Sequence, residues 1–413
     1  MEENPSGMAV AVSRWTSLPD DILYNILDRL DPTKSIAISD TTFDIKLGYN
    51  LYQTPHHLFI LDNLFTIFAN LPLLNTFRLQ LPHAICLKPW SRHIIGSWVR
   101  RLREHKLQHF EFTTHYSCSP YDGYRVDIPS VFRLNSLLSL DLNLCMDGFC
   151  WSIPNSIDLP NLNKLSLILV DYTNLGMLIR SCPSLRDLTF NIHKHREVKK
   201  DSISISSKKL KRLIVYLHGS SILELVIDAP KLEDLNFSSD CLFFDEIMFD
   251  SINHVKSLTL VRPSPLLDNY RTTTTKTTVF LNMTRLKLAL GSFKRIEDLS
   301  SMLHCPNLEE LVLDVTQIDW MVITQKPKVI TLLEHLKRLE LQMKTVRLDQ
   351  DLLELAAYIL RSVPVLEKLI LYAKWSYSTK SLAKDQFCRS LFECPRSSPH
   401  CQIELLGAYG SQV

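Results

Sequence analysis

The chain has 413 residues, of which 46% are hydrophobic and 22% charged, a composition typical of folded proteins rather than disordered ones. Its 46 basic and 44 acidic residues leave a net charge of +2, which does not favour binding to nucleic acid or anionic membranes. Only 10 glycines are present, so the glycine-rich phosphate loops of nucleotide enzymes are disfavoured. The length exceeds a single hydrophobic core and predicts several domains or one repeat array.

The cellular compartment follows from what the sequence lacks. The first residues have neither the basic segment nor the long apolar run of a signal peptide, and no run of about 18 apolar residues predicts a membrane span. A cytoplasmic or nuclear protein is therefore expected, without membrane contact. Its 10 cysteines are then expected to be reduced thiols.

The first predicted element is an amphipathic helix within Ser17–Lys34. Ser17 with Asp20 three residues later resembles a capping box, and Pro19 suits the first helical turn. One apolar stripe follows, formed by Ile22, Leu23, Ile26, Leu27 and Leu30. Taken alone, the pattern predicts a helix that must pack against another part of the fold, for example as the cap of a repeat array.

The rest of the chain carries one repeated pattern, L-x-x-L-x-L. Its clearest copies begin at Leu162, Leu185, Leu232, Leu308, Leu336 and Leu366, and weaker copies begin at Leu74, Leu107, Leu137, Leu210, Val255 and Met283. Successive copies begin 22 to 33 residues apart, around the spacing of leucine-rich repeats. The number of copies makes a chance pattern untenable.

Each repeat is predicted to contain a strand and a helix. The last two apolar positions alternate, which indicates a short strand with one buried face. Between strands, the residues Leu175, Leu178, Ile179 and Cys182 form one helical stripe, and Pro183 ends that helix. The predicted fold is therefore an α/β leucine-rich-repeat solenoid with a curved parallel sheet, preceded by the short N-terminal helix.

The side chains that point away from the buried face of each strand are the predicted contact surface for a target protein. They combine both charges with polar and aromatic groups, which suits a protein better than a polyanion. Most are individually expected to be merely solvated. The candidate target-binding residues are Lys164, Ser166, Asp187, Thr189, Arg212, Tyr216, Asp234, Asn236, Glu310, Arg338 and Glu340.

The sequence contains no strong catalytic or metal-binding motif. The pairs His56–His57 and His193 with His195 lack a third ligand at a suitable spacing, so surface histidines are expected. Cysteines followed by proline at equivalent repeat positions indicate packing rather than chemistry. These are Cys182, Cys305 and Cys394. No catalytic residue, metal or cofactor is predicted, and the protein is not expected to be an enzyme.

The segment LPDDIL followed by IL, L and PTK closely resembles the first helix of an F-box. With IDLPNLNKLSLILVDYTNLGMLIRSCPSLRDLTF, LVIDAPKLEDLNF and the residues Leu333–Leu406, the chain resembles the plant F-box, leucine-rich-repeat and FBD family. The resemblance implies an incomplete F-box-like segment at 13–50, repeats at 51–330 and FBD-like repeats at 331–413. It also implies contacts with a Skp-type adaptor by Leu18, Pro19, Ile22, Leu23, Ile26, Leu27 and Leu30.

One departure from that family changes the expected function. Family F-boxes continue with a Leu-Ser-Lys-Arg-Trp segment, whereas Pro32-Thr33-Lys34 here runs directly into SIAISDTTFDIKLGYN. The resemblance implies a substrate-recognition subunit of a Skp–cullin–F-box ubiquitin ligase that binds an unknown target protein, with adaptor binding weakened by the missing segment. The alternative is a protein-binding scaffold whose degenerate F-box does not recruit the ligase.

Overall fold

The computed structural model describes the strands and helices of the repeats and the turns that join many of them. The described residues are 35–39, 42–46, 74–82, 89–103, 105–115, 129–143, 153–169, 174–193, 201–218, 222–239, 246–248, 254–261, 281–289, 305–314, 335–346, 350–375 and 381–406. The predicted F-box-like helix, with its seven candidate adaptor contacts, lies outside these residues.

The chain divides into two compact units, Met1–His195 and Arg196–Val413. The sequence-based boundary at residue 331 falls inside the second unit. It stays a prediction, as does the division at residue 51.

The first unit contains a sheet whose strands follow one another in chain order. Strands β2 to β7 are parallel throughout, and β1 pairs antiparallel with β2. Residues 35–39 and 42–46, grouped with the F-box-like segment by sequence, thus belong to this sheet. The strands are β1 Ser35–Ser39, β2 Thr42–Lys46, β3 Thr76–Pro82, β4 His109–His115, β5 Ser139–Asn143, β6 Lys164–Leu169 and β7 Asp187–His193.

Helical segments connect several of these strands. Helix α1 spans Pro89–Leu102, a 3₁₀ helix spans Pro129–Arg133 and α2 spans Leu175–Arg180. The predicted stripe of α2 is confirmed, because Leu175, Leu178 and Ile179 are all buried. This helix is shorter than its apolar pattern, and Cys182 is buried just beyond its end.

The second unit contains two parallel sheets among its described strands. The larger has the order β9-β11-β13-β14-β15-β16-β17-β18, and the smaller has the order β12-β10-β8. The strands are β8 Asp201–Ser206, β9 Arg212–His218, β10 Ile222–Asp228, β11 Asp234–Ser239, β12 Glu246–Met248, β13 Ser257–Val261, β14 Arg285–Ala289, β15 Glu310–Asp314, β16 Arg338–Val346, β17 Lys368–Trp375 and β18 Gln402–Leu406. Helices α3 and α4 span Gln350–Ser362 and Ser381–Phe392.

The expectation of a helix between successive strands is wrong for three consecutive repeats. Strands β8, β10 and β12 occupy those places and pair with one another in parallel. The cause is a period of two in the connecting sequence: Ile203 and Ile205 are buried while Ser204 and Ser206 are exposed. Such alternation matches a pleated strand and conflicts with the helical period of 3.6.

The predicted repeat fold is confirmed, and so is the phase of its strands. All twelve leading residues of the L-x-x-L-x-L copies are buried, from Leu74 at 1% exposure to Leu366 at 0%. Each corresponding strand begins two residues after its leading residue, as at Leu185 and Asp187. The two later apolar positions are also buried, so residues between them lie on the opposite face.

Backbone hydrogen bonds link each repeat to the next by a recurring pattern. Two successive N–H groups donate to one carbonyl of the preceding repeat. Arg186 and Asp187 bond to the Asn163 oxygen at 2.9 and 3.0 Å, and Lys337 and Arg338 bond to the Glu309 oxygen at 2.9 and 3.0 Å. Because the same positions form these bonds in successive repeats, the first residues of neighbouring strands are aligned and the strands stay in register.

Replacement of Leu185 by alanine is expected to lower the free energy of unfolding by roughly 2–5 kcal/mol, because it leaves a cavity in the core. The adjacent Arg186 is exposed, and its replacement by alanine should change that free energy by less than about 0.5 kcal/mol. Urea denaturation of both variants checks the strand phase. Equal effects of the two substitutions would contradict it.

Candidate functional site

The outward face of the strands carries the predicted target-binding residues, and each lies in a strand of one of the two large sheets. Lys164, Arg212 and Asp234 are exposed, whereas Glu340 is only 8% exposed. The others have intermediate burial: Ser166, Asp187, Thr189, Tyr216, Asn236, Glu310 and Arg338. Each unit presents its own face, and the two differ in charge.

On the face of the first unit, carboxylates outnumber cations among the described side chains. Arg78 forms ion pairs with Asp44 at 3.5 Å and with Glu111 at 3.3 Å. Asp141 is the register neighbour of Glu111 on the next strand. Burial raises the pKa of Asp141, as does the charge of Glu111, while a hydrogen bond from Ser166 and the charge of Lys164 lower it. The ionised form of Asp141 is therefore less favoured in the folded protein than in the unfolded chain.

Replacement of Asp141 by asparagine is expected to stabilise the protein at neutral pH. A raised pKa means that the folded state binds a proton more readily than the unfolded state, so the penalty grows as pH rises through the folded pKa. Asparagine removes the charge and can still accept the Ser166 hydrogen bond. Urea midpoints of the two proteins should differ at neutral pH and converge in acid; a lower midpoint for the variant at neutral pH contradicts this electrostatic assignment.

On the face of the second unit, the side chains of β14 to β16 form a connected charge network. Arg285 Nε lies 2.7 Å from one oxygen of Glu310, and Arg338 lies 3.5 Å from the other. Arg338 also pairs with Glu340 at 3.4 Å, and Gln342 Nε2 donates to Glu340 at 2.5 Å. Glu340 is thus a buried member of the network, and its described partners are Arg338 and Gln342.

The residues beside Glu340 in the same row are buried as well. Val312 and Ile370 are its register neighbours on β15 and β17, and they are 6% and 1% exposed. The accessible side chains of this row therefore lie on β9, β11, β13 and β14, where they have intermediate exposure.

The row of accessible residues on the second face includes Lys287, which is not among the predicted contact residues. Lys287 lies on β14 in the same row as Asn236 on β11 and Thr259 on β13. Its repeat begins with Met283 instead of leucine. The offset that predicts Asn236 from Leu232 identifies Lys287 from Met283, so the sequence signal is present in this weaker copy.

A line of surface charges also follows the start of the strands in the second unit. Glu233 accepts hydrogen bonds from Lys211 at 2.9 Å and Lys256 at 3.2 Å, and Lys337 pairs with Glu309 at 3.1 Å. The bonds from Lys211 and Lys256, together with their charges, hold the pKa of Glu233 below its usual value. These contacts join successive repeats and do not form a site of their own.

Replacement of Glu233 by glutamine is expected to destabilise the protein slightly at neutral pH, because two lysines lose their carboxylate. A lowered pKa supplies stability above the unfolded-state pKa, and that stability is lost as pH falls through the folded pKa. The wild type should therefore lose its advantage in acid and at high salt, which screens exposed pairs. Unfolding midpoints across pH and salt check this; a difference that persists in acid would show another cause.

A groove of about 440 Å³ lies at the same edge of the second unit. Its walls are the turn and strand-start residues Asn282, Thr284, Asn307, Glu309, His335, Lys337 and Val365. Glu309 and Lys337 already pair with each other, and Asn307 donates to the Leu281 carbonyl at 2.6 Å. Because the lining is polar and these groups are engaged within the chain, the groove does not have the apolar character of a typical small-molecule pocket.

The cysteines of the described segments are free thiols that serve packing. Burial raises the pKa of Cys182 and of Cys305 to about 12, so neither is a nucleophile at neutral pH. Cys305 contacts the sulfur of Met283 at 3.8 Å, which agrees with the predicted packing role. Cys394 is half-buried and donates to the Ser390 carbonyl at 3.1 Å.

Among the described residues, no group of three or more histidine, cysteine, aspartate or glutamate side chains could hold a metal ion. No helix in these ranges is long and apolar enough to cross a membrane. His56, His57 and His195 lie outside the described residues.

Comparison with known proteins gives one family. Residues 95–290 match the family described as "FBD-associated F-box protein At5g56370, LRR repeats". FBD-associated F-box protein At4g13985 of Arabidopsis thaliana is 25% identical over 356 residues, which cover 75% of this chain and 74% of that protein. FBD-associated F-box protein At4g10400 of Arabidopsis thaliana is 29% identical over 245 residues, covering 54% of each chain.

Over these residues the chain is similar to plant F-box/FBD/LRR-repeat proteins. This similarity confirms the resemblance predicted from the sequence motifs. The matched residues 95–290 include strands β4 to β14 and thus part of both outward faces. The chain spans about half the length of some relatives that it matches, 54% of At4g10400 and 52% of another Arabidopsis F-box/FBD/LRR-repeat protein.

Proposed function

We propose that this protein is the substrate-recognition subunit of a Skp–cullin–F-box ubiquitin ligase, without enzymatic activity of its own. The observation that carries the proposal is the outward sheet face, where accessible residues of both charges are held on rigid parallel strands. The N-terminal helix would bind the adaptor, and the repeat strands would bind a target protein. The predicted helix contacts are the seven residues from Leu18 to Leu30 named above.

The composition of the outward faces supports a protein as the target. The first unit presents Asp44, Glu111 and Asp141 beside Arg78, and the second presents Arg212 and Arg285 near Asp234. Alternating charges would repel parts of a uniform polyanion such as nucleic acid, whereas a folded protein can match them locally. Rigid strands also reduce the entropy lost on binding.

A second candidate function is a scaffold that binds proteins without recruiting the ligase. The observation that favours it is the start of β1 at Ser35, only three residues after Pro32. No further helix of an F-box fits between the predicted helix and the repeat sheet. The apolar stripe of a lone helix would lack the neighbours that complete the usual adaptor surface.

Co-purification of the full chain with a plant Skp-type adaptor separates the two candidates. Under the ligase proposal, the wild type should retain the adaptor, and Leu27→Asp should lose it because a charge would enter the apolar stripe. Far-ultraviolet circular dichroism of the variant should match that of the wild type, which would show that loss of the adaptor is not caused by unfolding.

Arg186→Ala serves as the matched control, since this exposed residue lies in the repeats away from the predicted helix. It should retain the adaptor as well as the wild type does. A folded wild-type chain that captures no adaptor would overturn the ligase function and leave the scaffold as the supported one. Retention of the adaptor by Leu27→Asp would place its binding elsewhere in the chain.

A further inference from the structure

Most cations described on the outward face of the second unit are paired. Arg285 and Arg338 share Glu310, and Lys368 pairs with Glu404 at 2.7 Å. Lys287 is half-buried and has no ion pair or hydrogen bond among the described residues. Its ammonium group is therefore available to bind an anion from a partner.

The neighbours of Lys287 indicate which chemical groups a bound segment would contact. Ile214, Asn236, Thr259, Lys287 and Val312 form one row across five adjacent strands. With strands about 4.8 Å apart, this row is long enough for a short peptide segment. From one end to the other, it presents an apolar group, an amide, a hydroxyl, a cation and a buried apolar group.

A second atom in this row also lacks a partner. Asn236 Oδ1 is buried and accepts no hydrogen bond. It lies two strands from Lys287, with Thr259 between them. A buried acceptor without a donor costs free energy, which a ligand N–H group could recover. The row therefore needs one donor at Asn236 and one anion at Lys287.

We infer that this row binds a target segment that places an aspartate or glutamate carboxylate on Lys287 and a backbone N–H group on Asn236 Oδ1. The inference rests on the proposed use of the outward face for target binding and adds the chemistry of the target. The described face of β9, β11, β13 and β14 carries Arg212 and Lys287 against the carboxylate Asp234, while Arg285 is paired with Glu310 on β15. The remaining positive charge complements an acidic residue of a target segment.

A carboxylate fits this position better than a phosphate. Lys287 supplies one positive charge, and the Nε of nearby Arg285 is already bonded to Glu310 at 2.7 Å. One ammonium balances a single carboxylate, whereas a phosphate dianion would keep an uncompensated charge at a half-buried position. Sites for phosphate usually combine several free guanidinium or backbone N–H donors.

Selection of random linear peptides displayed on phage against the immobilised full chain tests the inference. Peptides that bind the wild type should be enriched in aspartate or glutamate at one position. The same selection on Lys287→Glu should replace that preference with lysine or arginine. The acidic preference should persist on Lys209→Glu, which changes an exposed lysine that precedes β9 and lies off the face.

The affinity of one enriched peptide, measured by fluorescence anisotropy, gives the size of the effect. Lys287→Gln should weaken binding roughly ten- to hundredfold, as expected for loss of a charge-assisted hydrogen bond. Lys287→Arg should largely restore it. Thermal unfolding followed by circular dichroism identifies folded variants; if Lys287→Glu does not fold, the neutral Lys287→Gln replaces it.

Three results would overturn the inference. The first is a set of selected peptides with no acidic preference, or with one that survives Lys287→Glu. The second is the absence of any selected peptide. The third is tighter binding when phosphoserine replaces the acidic residue, which would contradict the carboxylate assignment. The adaptor experiment does not involve Lys287. If the chain captured no adaptor, the ligase function would be overturned, but peptide selection would still test binding to this row.

Discussion

The fold depends on one constraint: a single repeat cannot bury its leucines alone, so each must align with its neighbours. The twelve leading residues are all buried, and every strand begins two residues later. The paired N–H donors at each strand start, such as Glu233 and Asp234 to the Lys211 carbonyl at 2.8 and 3.0 Å, enforce this alignment. Once the leucines face inward, alternation along the strand determines the outward residues.

That alignment also determines the electrostatics of both faces. Residues separated by 22 to 33 positions in sequence become neighbours about one strand spacing apart. In the first unit this places Asp141 beside Glu111, which contributes to the raised pKa of Asp141. In the second it places Glu310 between Arg285 and Arg338. Like charges held together and cations left unpaired lower stability, and both are relieved when a complementary partner binds.

The proposed target surface lies on described strands of the repeats, whereas the predicted adaptor contacts precede Ser35 in the sequence. The inner strands of the outward rows have hydrogen-bonded neighbours on both sides, so a target would meet preorganised side chains. Under the proposed function, adaptor binding would depend on the apolar stripe of the predicted helix. The two proposed sites use different residues, so each can be tested by substitutions that leave the other unchanged.

The sequence by itself determined the repeat, the strand phase and the stripe of α2, because these depend on local periodicity. Leu162, Leu165 and Leu167, for example, are buried as their spacing predicts. The repeat pattern does not extend to strands β1, β2 and β18. Strands β8, β10 and β12 occupy positions where helical connections were predicted. Only the tertiary structure decided which outward residues meet. Glu340 is buried between Val312 and Ile370, and Lys287 is left without a carboxylate, because register joins residues from separate repeats. The hydrophobic period is a local property, whereas the pairing of charges depends on strands brought together by folding.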